Sequence, residues 1–266
     1  MDPKMYQNEC NERIENYVHD EKLQQSSKSF MENTIRTKYS YNFSWMGRPI
    51  IQYPQDIIAM QEIIWHVKPD LIIETGIAHG GSLIFYASML ELTGGEGKVL
   101  GIDIDIREHN RREIEKHPMF KRITMIEGSS VDESVIEKVR KCAQGKKRVL
   151  VCLDSLHTHD HVLRELEAYS LLVTRGSYCV VFDTIVEDLL DEYSKDRPWG
   201  KGNNPKTAVR AFLKKNDRFV IDNLQFFCRW VSPNFVIPKN RPRTVTDILR
   251  PTFVASKRLA TNSLEA

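Results

Sequence analysis

The sequence predicts a doubly wound α/β domain, a parallel sheet covered by helices on both faces. Three observations carry that expectation. From Leu71 onward, short β-rich runs alternate with stretches whose apolar residues repeat at helical spacing. The β-rich runs are almost continuously apolar, the signature of strands buried on both sides. The turns between them are polar or glycine-containing, as strand–helix connections are.

Each element follows from local chemistry. The first fifty residues are polar and irregularly periodic, with a helix or two expected over 6–36, followed by the aromatic stretch Tyr39-Ser-Tyr-Asn-Phe-Ser-Trp45. This reads as an arm packed on the domain or on a neighbouring subunit. A helix is expected over 54–67, because Pro54 suits a first turn and Ile57, Met60, Ile64 and Val67 repeat at helical spacing. Strands are expected at 71–74, 99–103, 123–127, 149–154 and 178–183. Helices are expected at 82–92, 107–116, 134–143 and 161–173. After Asp183 comes a charged, loop-rich insertion over 186–203. Asn204-Pro205 then supplies an N-cap and a proline at the first helical position, opening a helix over 206–215. Runs at 219–222 and 225–230 suit a terminal hairpin, and the Pro- and Arg-rich remainder reads as a tail. The expected division is therefore an N-terminal helical arm over 1–50, a sheet domain over 51–232 and a C-terminal tail over 233–266.

Composition excludes several classes. The chain has 266 residues, with 38 Lys and Arg against 36 Asp and Glu. That near-balance offers no global electrostatic case for a nucleic-acid partner. The longest apolar runs are too short to span a bilayer, so no transmembrane segment is expected. The first residues lack the apolar stretch of a signal peptide. Five cysteines form no Cys-x-x-Cys pair, and Cys152 and Cys179 lie inside apolar runs. Reduced thiols in a cytoplasmic protein are the simple expectation.

In sheets of this kind ligands bind at the carboxyl ends of the strands. The first ends in Glu74-Thr-Gly-Ile-Ala-His-Gly-Gly-Ser82, whose Gly76, Gly80 and Gly81 permit tight turns and close approach of a ligand. The spacing is neither the dinucleotide fingerprint nor a P-loop. The second strand ends in Gly101-Ile-Asp-Ile-Asp105, where Asp103 can accept both hydroxyls of a ribose. A pyrophosphate wants bare amides at a helix start, whereas a sulfonium cofactor tolerates a carboxylate such as Glu74. The combination points to S-adenosylmethionine rather than NAD. The fourth and fifth strands end at Asp154 and Asp183, which can converge on one hard cation such as Mg²⁺. After Asp154 come His157, His159 and His161, and a histidine beside a metal-bound hydroxyl makes a natural general base.

Taken together, Trp45-Met-Gly-Arg-Pro-Ile-Ile-Gln-Tyr-Pro-Gln-Asp56, the Glu74–Ser82 turn, Gly101-Ile-Asp-Ile-Asp-Ile-Arg107, Leu153-Asp-Ser-Leu-His-Thr-His159 and Gly202-Asn-Asn-Pro205 resemble the cephalosporin hydroxylase family. The likeness runs from about Trp45 to Trp230. It implies the Rossmann-like class I methyltransferase fold, with a seven-stranded, mostly parallel sheet. It also implies S-adenosylmethionine-dependent, Mg²⁺-assisted O-methylation of a sugar, polysaccharide or natural product. By the resemblance, Glu74, Thr75, Gly76, His79, Gly80 and Ser82 hold the cofactor, with Glu74, Gly76 and Ser82 at its methionine end. Asp103 meets the ribose, and Ser129 and Ser130 lie near the adenine. Asp154 is the first metal ligand and borders the cofactor, and His157 stands where such enzymes place their base. The second metal position is usually an acidic pair. Here it reads Phe182-Asp183, leaving Asp183 to serve with waters or with help from Glu187 or Asp188. Acceptor contacts are expected from Tyr53, His157, His159, Asn203 and Asn204, and the aromatic stretch Tyr41, Phe43, Trp45 is a further candidate lining. A homo-oligomer is expected from the same analogy.

Two other readings stay open at this level. His157, His159 and His161 resemble part of the ligand set of a Zn hydrolase, and a His/Asp cluster can bind Fe(II) in an oxygenase. The third reading is a non-catalytic cofactor-binding fold kept as an assembly partner.

Overall fold

The computed structural model describes residues 2–17, 19–221 and 234–238. The arm is two helices, α1 (Pro3–Tyr17) and α2 (Glu21–Arg36), the second capped by Asp20, whose carboxylate accepts from the Leu23 amide. A single 3₁₀ turn over Tyr39–Asn42 leads into a small antiparallel hairpin of β1 (Ser44–Trp45) and β2 (Arg48–Pro49). Met46 and Gly47 both have positive φ at its tip, the backbone of a tight hairpin turn. Trp45 then anchors the arm: its indole N–H donates to Ser88 Oγ (2.9 Å) and its ring meets Phe85 edge-on. Helix α3 (Pro54–Val67) covers the range expected for it, with Pro54 at its first position.

Then follow β3 (Leu71–Thr75), α4 (Gly81–Thr93), β4 (Lys98–Asp103), α5 (Glu108–Glu115), β5 (Ile123–Glu127), α6 (Glu133–Ala143), β6 (Val149–Leu153), α7 (His159–Tyr169) and β7 (Cys179–Val181). Three 3₁₀ turns (Pro118–Arg122, Thr184–Asp188 and Asp191–Ser194), helix α8 (Pro205–Lys215) and two short strands, β8 (Phe219–Ile221) and β9 (Asn234–Pro238), complete the described elements. The strand order is β5-β4-β3-β6-β7-β9-β8. The first five are parallel, and β9 runs antiparallel to both β7 and β8. The seven strands expected thus divide into five parallel ones and an antiparallel pair at one edge. Part of the stretch expected as a tail, Asn234–Pro238, contributes one of that pair. The run expected at 225–230 lies outside the described residues.

Side-chain alternation along the strands builds two cores. Ile72, Leu150 and Cys152 face α3 and α4 through Met60, Ile63, Ile64, Leu83 and Phe85. Leu71, Ile73, Val149 and Val151 face the other way, onto Val139 of α6, Leu166 of α7 and Val209 of α8. All five residues of β3 and of β6 are buried, which is why β6 reads as an unbroken apolar run and β3 as one up to Glu74. The chain reverses its direction of winding between β3 and β6, and such a switch point leaves a crevice at the strand ends. Glu74, Asp103, Asp154 and Asp183 all stand at that edge.

Candidate active site

The turn after β3 is shaped by contacts within the protein itself. Gly76 has φ +89°, and a Cβ there would fall 2.1 Å from the carbonyl oxygen of Asp154. The Asp154 amide in turn donates to the Thr75 carbonyl (2.9 Å), closing the ends of β3 and β6 together. Gly81 is as tightly placed, its absent Cβ pointing at the Pro49 carbonyl. The glycines were expected to admit a ligand; in the structure the groups that press on them are Asp154, Pro49 and, at Gly80, the Ile114 side chain. Arg48 holds the turn from outside, donating to the His79 carbonyl (3.1 and 2.6 Å) and to Asn110 Oδ1 (3.0 Å).

Glu74 is fully buried. Its Oε2 accepts from Ser82 Oγ (2.7 Å), and its Oε1 has no partner. Burial pushes this carboxyl up to about 8. A buried acid with one orphaned oxygen beside a small cleft suits the cationic amino group of an amino-acid ligand. The cleft, about 40 Å³, is lined by Gly76, His79, Ser82, Gln52 and Asp154 among others. Asp103 Oδ2 accepts from the amides of Ile77 and Ala78 (2.7 and 3.2 Å), and its Oδ1 from the Asp105 amide (3.1 Å). A carboxylate has lone pairs beyond these three, so a ribose diol is still compatible with it. Ser130 follows β5 with its Oγ 3.1 Å from His161 Nε2, and Ser129 precedes it in the same turn.

Across the crevice, Asp154, His157 and Asp183 bring one ligating atom each within 4.8 Å of one another. His157 Nε2 lies 2.9 Å from Asp183 Oδ2, and the imidazole meets Trp199 edge-on with centroids 4.9 Å apart. Burial drives the Asp154 carboxyl well above the carboxylate range, and the charges of Asp183, Glu74 and Asp56 push it the same way. Burial opposes the charge on His157, but the Asp183 carboxylate outweighs it and the imidazole is raised. Two carboxylates and an imidazole with such crowded negative charge fit a divalent cation, and the hard oxygen donors fit Mg²⁺.

The three histidines do not converge. His159 Nδ1 is bonded to Thr207 Oγ1 (2.8 Å), and its amide donates to Asn203 Oδ1 (2.9 Å). His161 Nε2 sits among Ser130 Oγ, Ser155 Oγ (3.1 Å each) and Glu165 Oε1 (3.4 Å). Among the described residues His157 alone of the three belongs to a group able to share an ion, so the histidine-cluster hydrolase or oxygenase reading is corrected. Asn203 and Asn204 are likewise spent on structure. Asn204 is buried and forms a capping box with Thr207, while its amide donates to Glu187 Oε2 (2.5 Å) and the Gly200 carbonyl (2.8 Å). Asn203 Nδ2 donates to the Pro198 carbonyl (2.9 Å). Neither lines the cavity at the site. Glu187 is occupied by Asn204 and the Gly202 amide, and Asp188 by Lys206, so neither supplements Asp183.

That cavity, about 380 Å³, opens in front of Asp154, His157 and Asp183. Tyr53 lines it and exchanges a hydrogen bond with Thr34 Oγ1 (3.0 Å). Tyr41 also lines it, while Phe43 and Trp45 pack into the core instead. Its other walls were not foreseen: Met31 and Ile35 of α2, Gln52 and Asp56 at the start of α3, and Arg197 and Trp199 of the insertion. Arg197 lies over the Trp199 ring at 5.2 Å. Ile51, Gln52, Ala78 and Asp154 line both this cavity and the small cleft at the glycine turn. The two spaces therefore meet at Asp154.

The comparisons with known proteins agree with this architecture. Over 142 residues, 53% of this chain and 60% of the relative, the sequence is 30% identical to a rhamnosyl O-methyltransferase of Mycobacterium leprae. It is 29% identical over 158 residues to one of Mycobacterium tuberculosis H37Rv, covering 59% of this chain and 61% of that protein. The chain thus matches about 60% of the length of these curated relatives. Among solved structures, an apo CmcI structure superposes with a TM-score of 0.53 at 18% identity, covering 74% of this chain and 76% of that one. A CmcI structure with Mg and SAM gives 0.51, also at 18%, with 74% and 77% covered. The O-methyltransferase TomG of Streptomyces achromogenes, with SAM, gives 0.51 at 14%, with 76% and 84% covered. These establish a Rossmann-like methyltransferase fold. The family model of rhamnosyl O-methyltransferase/CmcI matches residues 37–233, well over half of the sequence, and the chain belongs to that family.

Proposed function

We propose that this protein transfers a methyl group from S-adenosylmethionine to a hydroxyl of a sugar or natural product, with Mg²⁺ held by Asp154 and Asp183. The observation that carries the reading is the meeting of two spaces at Asp154. One is lined by Ser82, whose hydroxyl donates to the buried Glu74, and by the glycine turn, the other by His157 and Asp183. The names of the relatives, rhamnosyl O-methyltransferases, and the Mg and SAM of the CmcI structure support it. When bound, the cofactor supplies an electrophilic methyl carbon and the cation lowers the pKa of a coordinated hydroxyl. Glu74 and Ser82 orient the methionine end, with Thr75, Gly76, His79 and Gly80 shaping the turn around it. Asp103 binds the ribose, and Ser129 and Ser130 border the adenine. His157 takes the proton of the acceptor hydroxyl on Nδ1, the ring nitrogen not engaged by Asp183, whose contact with Nε2 keeps the ring oriented. Trp199 and Tyr53 wall the acceptor off from water.

The grouping of all three donor atoms within 4.8 Å favours a second reading, with His157 as a third ligand and a water as base. The two differ in the His157→Gln protein, which keeps its metal stoichiometry in the first reading and loses it in the second. In this proposal residues 1–50 form an arm that walls the acceptor side, and the catalytic unit begins at residue 51, just before α3. A homo-oligomer fits the exposed Ile58 and Trp65 on α3. No helix among the described residues is long and apolar enough to cross a membrane. Calorimetric titration with S-adenosylhomocysteine, with Mg²⁺ and with EDTA, and with NAD as control, tests the core of the proposal. Micromolar binding of the homocysteine compound but not NAD is expected; the reverse refutes it.

A further inference from the structure

Burying a polar side chain without a partner forfeits its hydration for nothing in return, so each such group in a native fold asks for an explanation. Two stand together at the start of α3. Gln52 is 5% exposed and Asp56 8%. Neither Oε1 nor Nε2 of Gln52 has a hydrogen-bond partner, and neither does Asp56 Oδ1. The Tyr86 hydroxyl neighbours the Gln52 amide, but no hydrogen bond joins them. Both residues line the 380 Å³ cavity, and Gln52 also lines the cleft at the glycine turn. Gln52 therefore stands where a methyl donor and an acceptor meet, and Asp56 stands further into the acceptor side.

We infer that Gln52 and Asp56 are specificity-determining residues that bind the hydroxyls flanking the methylated one, restricting the acceptor to a polyhydroxylated, non-aromatic ring. This rests on the methyltransferase reading and deepens it. The chemistry of the pair selects such a ligand. A carboxamide offers both a donor and an acceptor, a carboxylate oxygen accepts, and each ring hydroxyl both donates and accepts. A ring bearing one hydroxyl leaves both side chains as orphaned as they are without ligand, and a site built to bond a hydroxyl rejects an analogue lacking it. The helix start contributes as well, because Pro54 and the Tyr53 cap fix the register that sends both side chains into one space.

The test uses the full-length protein with labelled S-adenosylmethionine and Mg²⁺. Acceptors are the methyl glycosides of rhamnose, fucose, glucose and galactose, their monodeoxy analogues, and a dihydroxybenzoate. Proteins are the parent, Gln52→Leu and Asp56→Asn. The parent is expected to methylate at least one glycoside and to lose at least tenfold in kcat/KM when a hydroxyl next to the methylated one is removed. Each variant is expected to lose at least tenfold on the full glycoside, chiefly in KM, and little more on the deoxy analogue. Calorimetry with S-adenosylhomocysteine is expected to give the same Kd for parent and Asp56→Asn, which shows that the fold and donor side persist. Methylation of the dihydroxybenzoate but of no glycoside overturns the inference, as does an equal loss on full and deoxy acceptors. Absence of S-adenosylhomocysteine binding in the parent overturns the methyltransferase reading beneath it.

Discussion

Replacing Glu74 by Gln separates the stability of this fold from its use. The carboxyl is fully buried, and burial raises it to about 8 from its ordinary value of 4.5. A carboxyl whose folded pKa exceeds its unfolded pKa binds more protons in the folded state. Stability then falls as pH rises from about 4.5 to about 8 and is level above that window. The penalty carried by the parent is about 1 kcal/mol at pH 5, about 3 kcal/mol at pH 7 and about 5 kcal/mol at pH 9. Gln keeps the Ser82 contact and cannot ionise, so it removes the penalty while leaving an NH₂ group where Oε1 has no partner. A protonated Glu carries a comparable unpaired group, and the two largely cancel. The variant is therefore expected to be more stable than the parent by up to about 3 kcal/mol at pH 7, which for a chain of this size raises Tm by roughly 6–12 °C. Urea unfolding at pH 5, 7 and 9 measures the difference, which must grow with pH. The same substitution is expected to weaken S-adenosylhomocysteine binding at least tenfold, since the ligand's ammonium loses its counter-charge. Unfolding midpoints of parent and variant that differ equally at pH 5 and pH 9 refute the reasoning.

Four further outcomes are expected. Asp154→Ala removes a ligand from the group with His157 and Asp183, and is expected to abolish Mg²⁺-stimulated methyl transfer in a labelled-cofactor assay. Gly76→Ala drives a Cβ into the Asp154 carbonyl at a positive φ and is expected to destabilise by more than 3 kcal/mol, or to yield insoluble protein, as read by urea unfolding or expression. Asn204→Ala removes the cap of α8 and its tie to Glu187, costing about 1–2 kcal/mol by the same unfolding assay. Trp45→Phe keeps the ring against Phe85 but orphans Ser88 Oγ on the indole side, costing about 1 kcal/mol.

What the sequence disclosed follows from how each feature is encoded. Buried parallel strands are apolar on both faces, so Val149–Leu153 was visible without any neighbour being known. Pro54 and the apolar spacing after it marked α3 to the residue. Asp103, Asp154 and Asp183 could be singled out as candidates because strand ends are where such a sheet places its chemistry. Gln52 and Asp56 were passed over as site residues, because polar residues ahead of and inside a first helical turn are ordinary; only tertiary packing buries them. Asn204 was read correctly as a cap, yet the same side chain also clasps Glu187, a contact 17 residues back that no local pattern announces. The histidines misled for a related reason. Helical geometry turns His159 toward α8 and His161 toward Ser130 and Glu165, while His157 alone faces the crevice.

Helix α2 has a consequence of its own. It contributes Met31 and Ile35 to the cavity wall and is tied to the domain by Thr34 on Tyr53 and by the Tyr39 ring against Phe30, Phe43 and Tyr53. None of the strand ends that carry Glu74, Asp103, Asp154 or Asp183 belongs to it. Changes of size or polarity along this one helix reshape the room offered to an acceptor and leave the reacting groups in place. The molecule thus keeps apart the sheet edge, which carries the candidate reacting groups, and the arm, which shapes the space in front of them. In the proposed reading, substitutions at Met31 and Ile35 alter the range of acceptors without touching a residue of the sheet edge.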